Sequence, residues 1–151
     1  LSRIHLETLI DAPIERCFDL ARSVDAHVAS TSETGERVVA GRTHGLLELG
    51  DEVTWEATHF GVRQRLSSKM VAFDRPRHFR DSMIRGAFAR FDHDHTFEEI
   101  DGKTRMIDDF DFTAPLGILG GLADAIFLKR YMTRFLVARA RELKRAAELN
   151  D

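Results

Sequence analysis

Cysteine is almost absent: Cys17 is the only one in 151 residues, so the chain cannot close an internal disulfide or build a cysteine-based zinc site. A reducing cytoplasm is therefore the expected location. Proline is scarce, at 3 residues, and no Ser/Gly/Pro-rich linker divides residues 4–149, which predicts one domain over residues 1–151. Neither charge sign dominates. The 22 basic and 25 acidic residues leave a net charge of −3, which offers no attraction to a phosphate backbone, so nucleic acid is not an expected partner. Long apolar runs are missing too. The longest, 116–128, is broken by Gly117, Gly120, Gly121 and Asp124 and falls short of the ~20 residues that span a bilayer, so no stable membrane insertion is expected. The first ten residues set Arg3, His5 and Glu7 among apolar positions, without the continuous apolar stretch of a secretion signal.

What is present is a chain with 43% hydrophobic and 31% charged residues, enough to form a core and keep it in solution. Ile4, Leu6, Thr8 and Ile10 alternate with Arg3, His5 and Glu7 at the two-residue period of a strand. Ile14, Cys17, Phe18 and Ala21 then recur at helical spacing behind Pro13, and 24–30 forms a second short helix before a Ser/Thr/Gly turn at 30–35. From Glu36 to Phe112, about six strands are punctuated at Gly45, Gly50, Gly61, Asp74 to Pro76, Gly86 and Asp101-Gly102. Beyond the glycines, Leu122, Ile126, Phe127, Phe135, Ala138 and Leu143 predict an apolar stripe on a helix of roughly 30 residues. The fold class is α+β: a curved antiparallel sheet of about seven strands around a long C-terminal helix, with two short helices after the first strand. A curved sheet and a helix that each bury one face leave a gap between them, the usual place for a small apolar ligand.

Strand parity selects the chemistry. One face of the 88–100 run carries Phe91, His93, His95 and Phe97, and one face of the 104–112 run carries Met106, Asp108, Phe110 and Phe112. Phe79, Asp81 and Met83 align on a third run, and Trp55 and His59 on a fourth. The predicted interior thus holds His93, His95, Asp81 and Asp108 as catalytic candidates. A histidine held by an aspartate is a general acid/base, because imidazole titrates near neutrality and the carboxylate fixes its tautomer. The alternative is a satisfied structural pair holding strands in register. Trp55, His59, Phe79, Met83, Phe91, Phe97, Met106, Phe110, Phe112, Ile126 and Phe127 are the candidate ligand-binding residues. Two histidines two apart do not by themselves make a metal site, and there is no phosphate loop, dinucleotide fingerprint or Ser-His-Asp motif; no metal or cofactor is expected. Lys129, Arg130, Arg134, Arg139, Arg141, Lys144 and Arg145 form a basic helix face, read as solvated, with transient membrane contact as the alternative. Nothing in the sequence reads on oligomeric state.

The segments IHLETLIDAPIERCFDL (4–20), GDEVTWEATHFG (50–61), FDRPRHFRDSMIRGAFARFDHDHTF (73–97) and DFTAPLGILGGLAD (111–124) resemble bacterial members of the START-like SRPBCC superfamily, which includes polyketide cyclase/dehydrase-like proteins. The resemblance covers nearly the whole chain. It implies the helix-grip fold and a deep cavity for lipids, sterols, polyketides or aromatic molecules. The expected function is binding of such a molecule as carrier or sensor. A cyclase or dehydratase using an interior His/Asp pair is the alternative, and a regulatory interaction protein is the third.

Overall fold

The computed structural model describes residues 2–31, 34–114 and 122–149. Glycines 117, 120 and 121, which break the apolar run before the last helix, lie outside them. The element order is β1 (Ser2–Ile10), α1 (Ile14–Ala21), α2 (Val24–Ser30), β2 (Arg37–Gly41), β3 (Glu52–His59), β4 (Val62–Asp74), β5 (His78–Arg85), β6 (Arg90–Ile100), β7 (Lys103–Thr113) and α3 (Leu122–Glu148). The seven strands form one antiparallel sheet in the order β1-β7-β6-β5-β4-β3-β2, curved around α3 in the helix-grip arrangement.

Local chemistry sets the element boundaries. Pro13 sits at the N-cap of α1, where its missing N–H leaves no helical bond unmade, and Ser23 Oγ accepts from Ala26 N at 3.1 Å to cap α2. Between β2 and β3, Gly41 has φ +78 and its Cα faces Glu52 O so closely that a Cβ would stand 2.1 Å from that oxygen. Only glycine fits there. The loop that follows is fastened to the α1–α2 junction by Leu47 N to Arg22 O at 3.0 Å and Val24 N to Gly45 O at 2.9 Å. In β4 the apolar parity changes midway because the pairing with β5 shifts register at Ser67/Ser68 and again at Met70/Ala72.

Two apolar clusters fill the space between sheet and helices. In the first, the Phe18 ring of α1 meets Phe73, Phe79 and Phe97 edge-on at 5.3 to 5.5 Å, and Leu143 and Ala147 of α3 join it. The second packs Ile4, Phe91, Phe110 and Phe112 under Met132 and Leu136. The inward stripe of α3 is therefore Met132, Leu136, Ala140, Leu143 and Ala147. This corrects the expectation for Ile126 and Phe127, which are 52% and 60% exposed. They precede Met132 by six and five residues, which at 3.6 residues per turn rotates them roughly 120° and 140° away from Met132. On the outer face Glu56 accepts hydrogen bonds from Arg37, Arg63 and Arg65, which hold its pKa down to about 2. Among the described residues no helix is long and apolar enough to cross a membrane.

Candidate functional site

Between the two clusters a cavity of about 360 Å³ opens, within the size range of small-molecule sites. Its apolar wall includes Trp55 and Ala57 of β3, Leu66 of β4, Phe88, Phe91, Phe110, and Leu128, Met132, Phe135 and Leu136 of α3. Of the residues expected from strand parity, Trp55, His59, Asp81, Phe91, His93 and Phe110 line it. The others do not. Phe79 and Phe97 are consumed by packing against Phe18, Met106 and Phe112 are buried in the clusters, and Met83 is partly buried against the second cluster. Parity assigns a face of the sheet but not which stretch of that face α1 and α3 cover, so core and cavity wall read alike. Ile126 and Phe127 lie outside the cavity, although the Phe127 ring reaches Phe60, on its rim, at 5.6 Å between centroids.

At one wall lies a cluster of four titratable groups: His93 and Asp81 line the cavity, and His95 and Asp108 are buried behind them. His95 stands opposite Asp108 in the β6–β7 ladder, and Asp81 opposite His93 in the β5–β6 ladder. Asp108 Oδ1 is 3.0 Å from His93 Nε2 and 3.2 Å from His95 Nδ1, while His95 Nε2 is 3.3 Å from Asp81 Oδ2 without hydrogen-bond alignment. The His95 ring is sandwiched, 4.2 Å from Phe79 and 3.8 Å from His93 between centroids. Burial opposes charge on all four groups, and the outcomes differ. Burial and the neighbouring His95 charge push His93 down to about 4, although Asp108 works the other way. For His95, burial works downward, but the close Asp108 and Asp81 carboxylates outweigh it and raise its pKa. The two imidazoles in turn hold Asp108 well below the carboxylate range despite burial, and His95 lowers the pKa of Asp81. His93 is thus the neutral imidazole and His95 the one that keeps its proton longer. Atoms of His93, His95 and Asp108 lie within 4.8 Å of one another, but a cation there would compete with the proton that Asp108 and Asp81 favour on His95.

A second polar group faces the cavity from residues that strand parity could not supply. His27 of α2 approaches Glu36 Oε1 with Nε2 at 3.1 Å and lies against the Trp55 ring at 4.2 Å between centroids. Burial and the Arg139 charge lower the His27 pKa, while the His27 contact and the Arg139 charge lower that of Glu36 against the effect of burial. Arg139 itself lines the cavity, correcting the expectation of a solvated face. Its spacing carried the signal: position 139 follows Leu136 by three and Met132 by seven, the period of the inward stripe. At the rim, His59 Nδ1 and Tyr131 Oη are 2.6 Å apart, joining the end of β3 to α3.

An aromatic-walled cavity with a polar inner end, closed by sheet and C-terminal helix, agrees with sequence comparison. Residues 3–148 match the family described as polyketide cyclase/dehydrase and lipid transport. The chain belongs to this family. The family supports a hydrophobic-ligand-binding or cyclase-like protein. No curated protein sequence matches it. Among solved structures, the chain is similar in fold to TTHA0849 from Thermus thermophilus, with 21% identity, TM-score 0.78 and 95% of each chain covered. The Zhui aromatase/cyclase from Streptomyces sp. R1128 shares 14% identity at TM-score 0.79, covering 97% of this chain and 93% of that one. A START superfamily protein from Mycobacterium smegmatis shares 13% at TM-score 0.74, covering 97% of both.

Proposed function

We propose that the protein binds one hydrophobic small molecule, a lipid, sterol, polyketide or aromatic compound, between the sheet and α3, as a carrier or sensor. The observation that carries this reading is the cavity of about 360 Å³, whose wall is mainly aromatic and aliphatic and whose polar groups gather at defined places. Such a site gains affinity from burial of apolar surface and orientation from a few hydrogen bonds. A thermal-shift screen against fatty acids, sterols, flavonoids and aromatic polyketides tests it, since a ligand of the native state raises its melting temperature. A saturable shift for one class is the expected result; no shift with any class contradicts the reading.

One observation favours a second reading, a cyclase- or dehydratase-type enzyme. His93 lines the cavity with its Nε2 held by Asp108, which leaves Nδ1 as the unprotonated nitrogen of a neutral imidazole. A neutral histidine oriented by a carboxylate can take a proton from an acidic C–H of a bound polyketide-like substrate and return it to a departing hydroxyl. The enzyme reading requires that His93→Gln abolish turnover of such a substrate while ligand binding and folding persist. Unchanged turnover refutes it.

A further inference from the structure

Phe60 and Gly61 form the two-residue turn between β3 and β4, with His59 opposite Val62, and both take the left-handed conformation, at φ +54 and +72. The first position of such a turn ordinarily goes to Asn, Asp or Gly, because a larger side chain crowds the backbone there. Here it holds a phenylalanine, more than half exposed. An unfavoured conformation kept for an exposed ring points to a role for that ring outside the fold. Phe60 is not alone. Its ring lies 5.6 Å from that of Phe127 on α3, and Phe127, Ile126 beside it and Val62 beyond the turn are each more than half exposed. Phe60 and Ala87, the latter between β5 and β6, line the cavity while exposed, so this apolar patch borders the cavity mouth.

The charge along the helix beside the patch has one sign. Between Asp124 and Glu142 the sequence holds five cations and no acidic residue, although the chain as a whole carries −3. Arg139 faces the cavity, but Lys129, Arg130 and Arg134 are exposed, and Ile126, Arg130 and Arg134, spaced by four, make one row on the helix surface. Across the patch, Arg63 and Arg65 are already held by Glu56. Among the described residues the ion pairs of α3 lie in its last turns, Lys144 with Glu148 and Arg145 with Glu142, which leaves the three cations near the patch for an anion outside the protein. Protruding rings flanked by exposed cations suit a bilayer surface, which admits rings between its headgroups, whereas a protein partner has to bring a matching groove. We propose that the cavity mouth docks on an anionic phospholipid surface, with Phe60, Ile126 and Phe127 at the headgroup–acyl boundary and Lys129, Arg130 and Arg134 on the lipid phosphates. Resting on the ligand-binding reading above, the cavity then exchanges its hydrophobic ligand directly with the bilayer.

Flotation of the full chain with vesicles tests this, using phosphatidylcholine alone and an equal mixture of phosphatidylcholine and phosphatidylglycerol. The wild type is expected to bind the mixed vesicles at least about tenfold more tightly than the neutral ones, and to leave them at about 1 M salt, where charges are screened within about 3 Å. Phe127→Ala and the double variant Arg130→Ser/Arg134→Ser are each expected to lose about tenfold in affinity for the mixed vesicles. Both keep the wild-type quenching of Trp55 by 6-hydroxyflavone, a flavonoid of the screen above, because none of the three positions except Phe127, at the rim, comes near the cavity. The double variant, at two exposed positions, decides the matter if Phe127→Ala does not fold. Equal binding to both vesicles, or variants that bind like the wild type, overturns the docking surface and leaves the cavity reading standing. Binding to neither vesicle overturns it too, and gives the patch to a protein partner. Vesicle binding as expected without any quenching of Trp55 upholds the docking surface and removes the ligand exchange.

Discussion

His93 and His95 share one carboxylate: Asp108 Oδ1 lies 3.0 Å from His93 Nε2 and 3.2 Å from His95 Nδ1, with the two rings stacked at 3.8 Å. The carboxylate is what lets two imidazoles occupy the interior side by side. Neutralising it weakens both contacts and takes the nearest counter-charge away from the buried His95. Asp108→Asn is expected to destabilise the fold by about 3–5 kcal/mol, the usual cost of breaking a buried ion pair from one side. Urea unfolding measures this, and a loss below about 1 kcal/mol would show that the cluster is not held by its charge.

The same cluster predicts a pH dependence of opposite sign for its two histidines. His93 titrates at about 4 when folded against an ordinary 6.5, so the unfolded chain binds more protons between those values and stability falls as pH drops through that window. For this one buried group the loss amounts to about 3 kcal/mol. His95 is raised, so its contribution is complete below pH 6.5 and is lost as pH rises through its folded value. Imidazole NMR is expected to find His95 protonated at a pH where His93 is neutral. His93→Gln flattens the fall of stability between pH 6.5 and 4; an unaltered slope contradicts the assignment.

Ala57 is buried and lines the cavity, so a larger side chain there fills the ligand's space rather than the core. Ala57→Phe is expected to weaken ligand binding at least about tenfold while the melting temperature holds or rises. Calorimetry and thermal melts of the same preparation read both. Undiminished binding would place the ligand elsewhere.

The His59–Tyr131 contact of 2.6 Å links the end of β3 to α3 at the cavity rim. Tyr131→Phe keeps the ring packing against Phe60 and removes only the hydroxyl. About 1 kcal/mol of stability is expected to be lost, with faster ligand exchange by stopped flow. Unchanged stability and exchange would mean the bond closes nothing.

The alternation in 91–97 and 106–112 was enough to turn His93, His95 and Asp108 inward, because on a paired strand side-chain direction follows from sequence parity alone. The helix-grip order of elements was legible for the same reason. What parity could not resolve was depth: Phe79 and Phe97 share a face with cavity residues, yet Phe18 covers them. His27 and Glu36 were not legible, since their pairing depends on how α2 and the segment before β2 close over Trp55, a tertiary contact without a sequence period. Arg139 was hidden differently. Its place on the inward stripe of α3 could be read from helical spacing, but its charge assigned it to the solvent side along with its basic neighbours. A cation on an apolar stripe marks a polar group facing a cavity.

Trp55 is the only tryptophan and forms part of the cavity wall, so its emission reports directly on occupancy. The most direct test of the ligand-binding claim is titration of that fluorescence with 6-hydroxyflavone, in the wild type and in Ala57→Phe. The expected result is saturable quenching at one molecule per chain in the wild type, lost in Ala57→Phe. Quenching that rises linearly without saturating, and equally in both proteins, would contradict a ligand-binding cavity between sheet and helix.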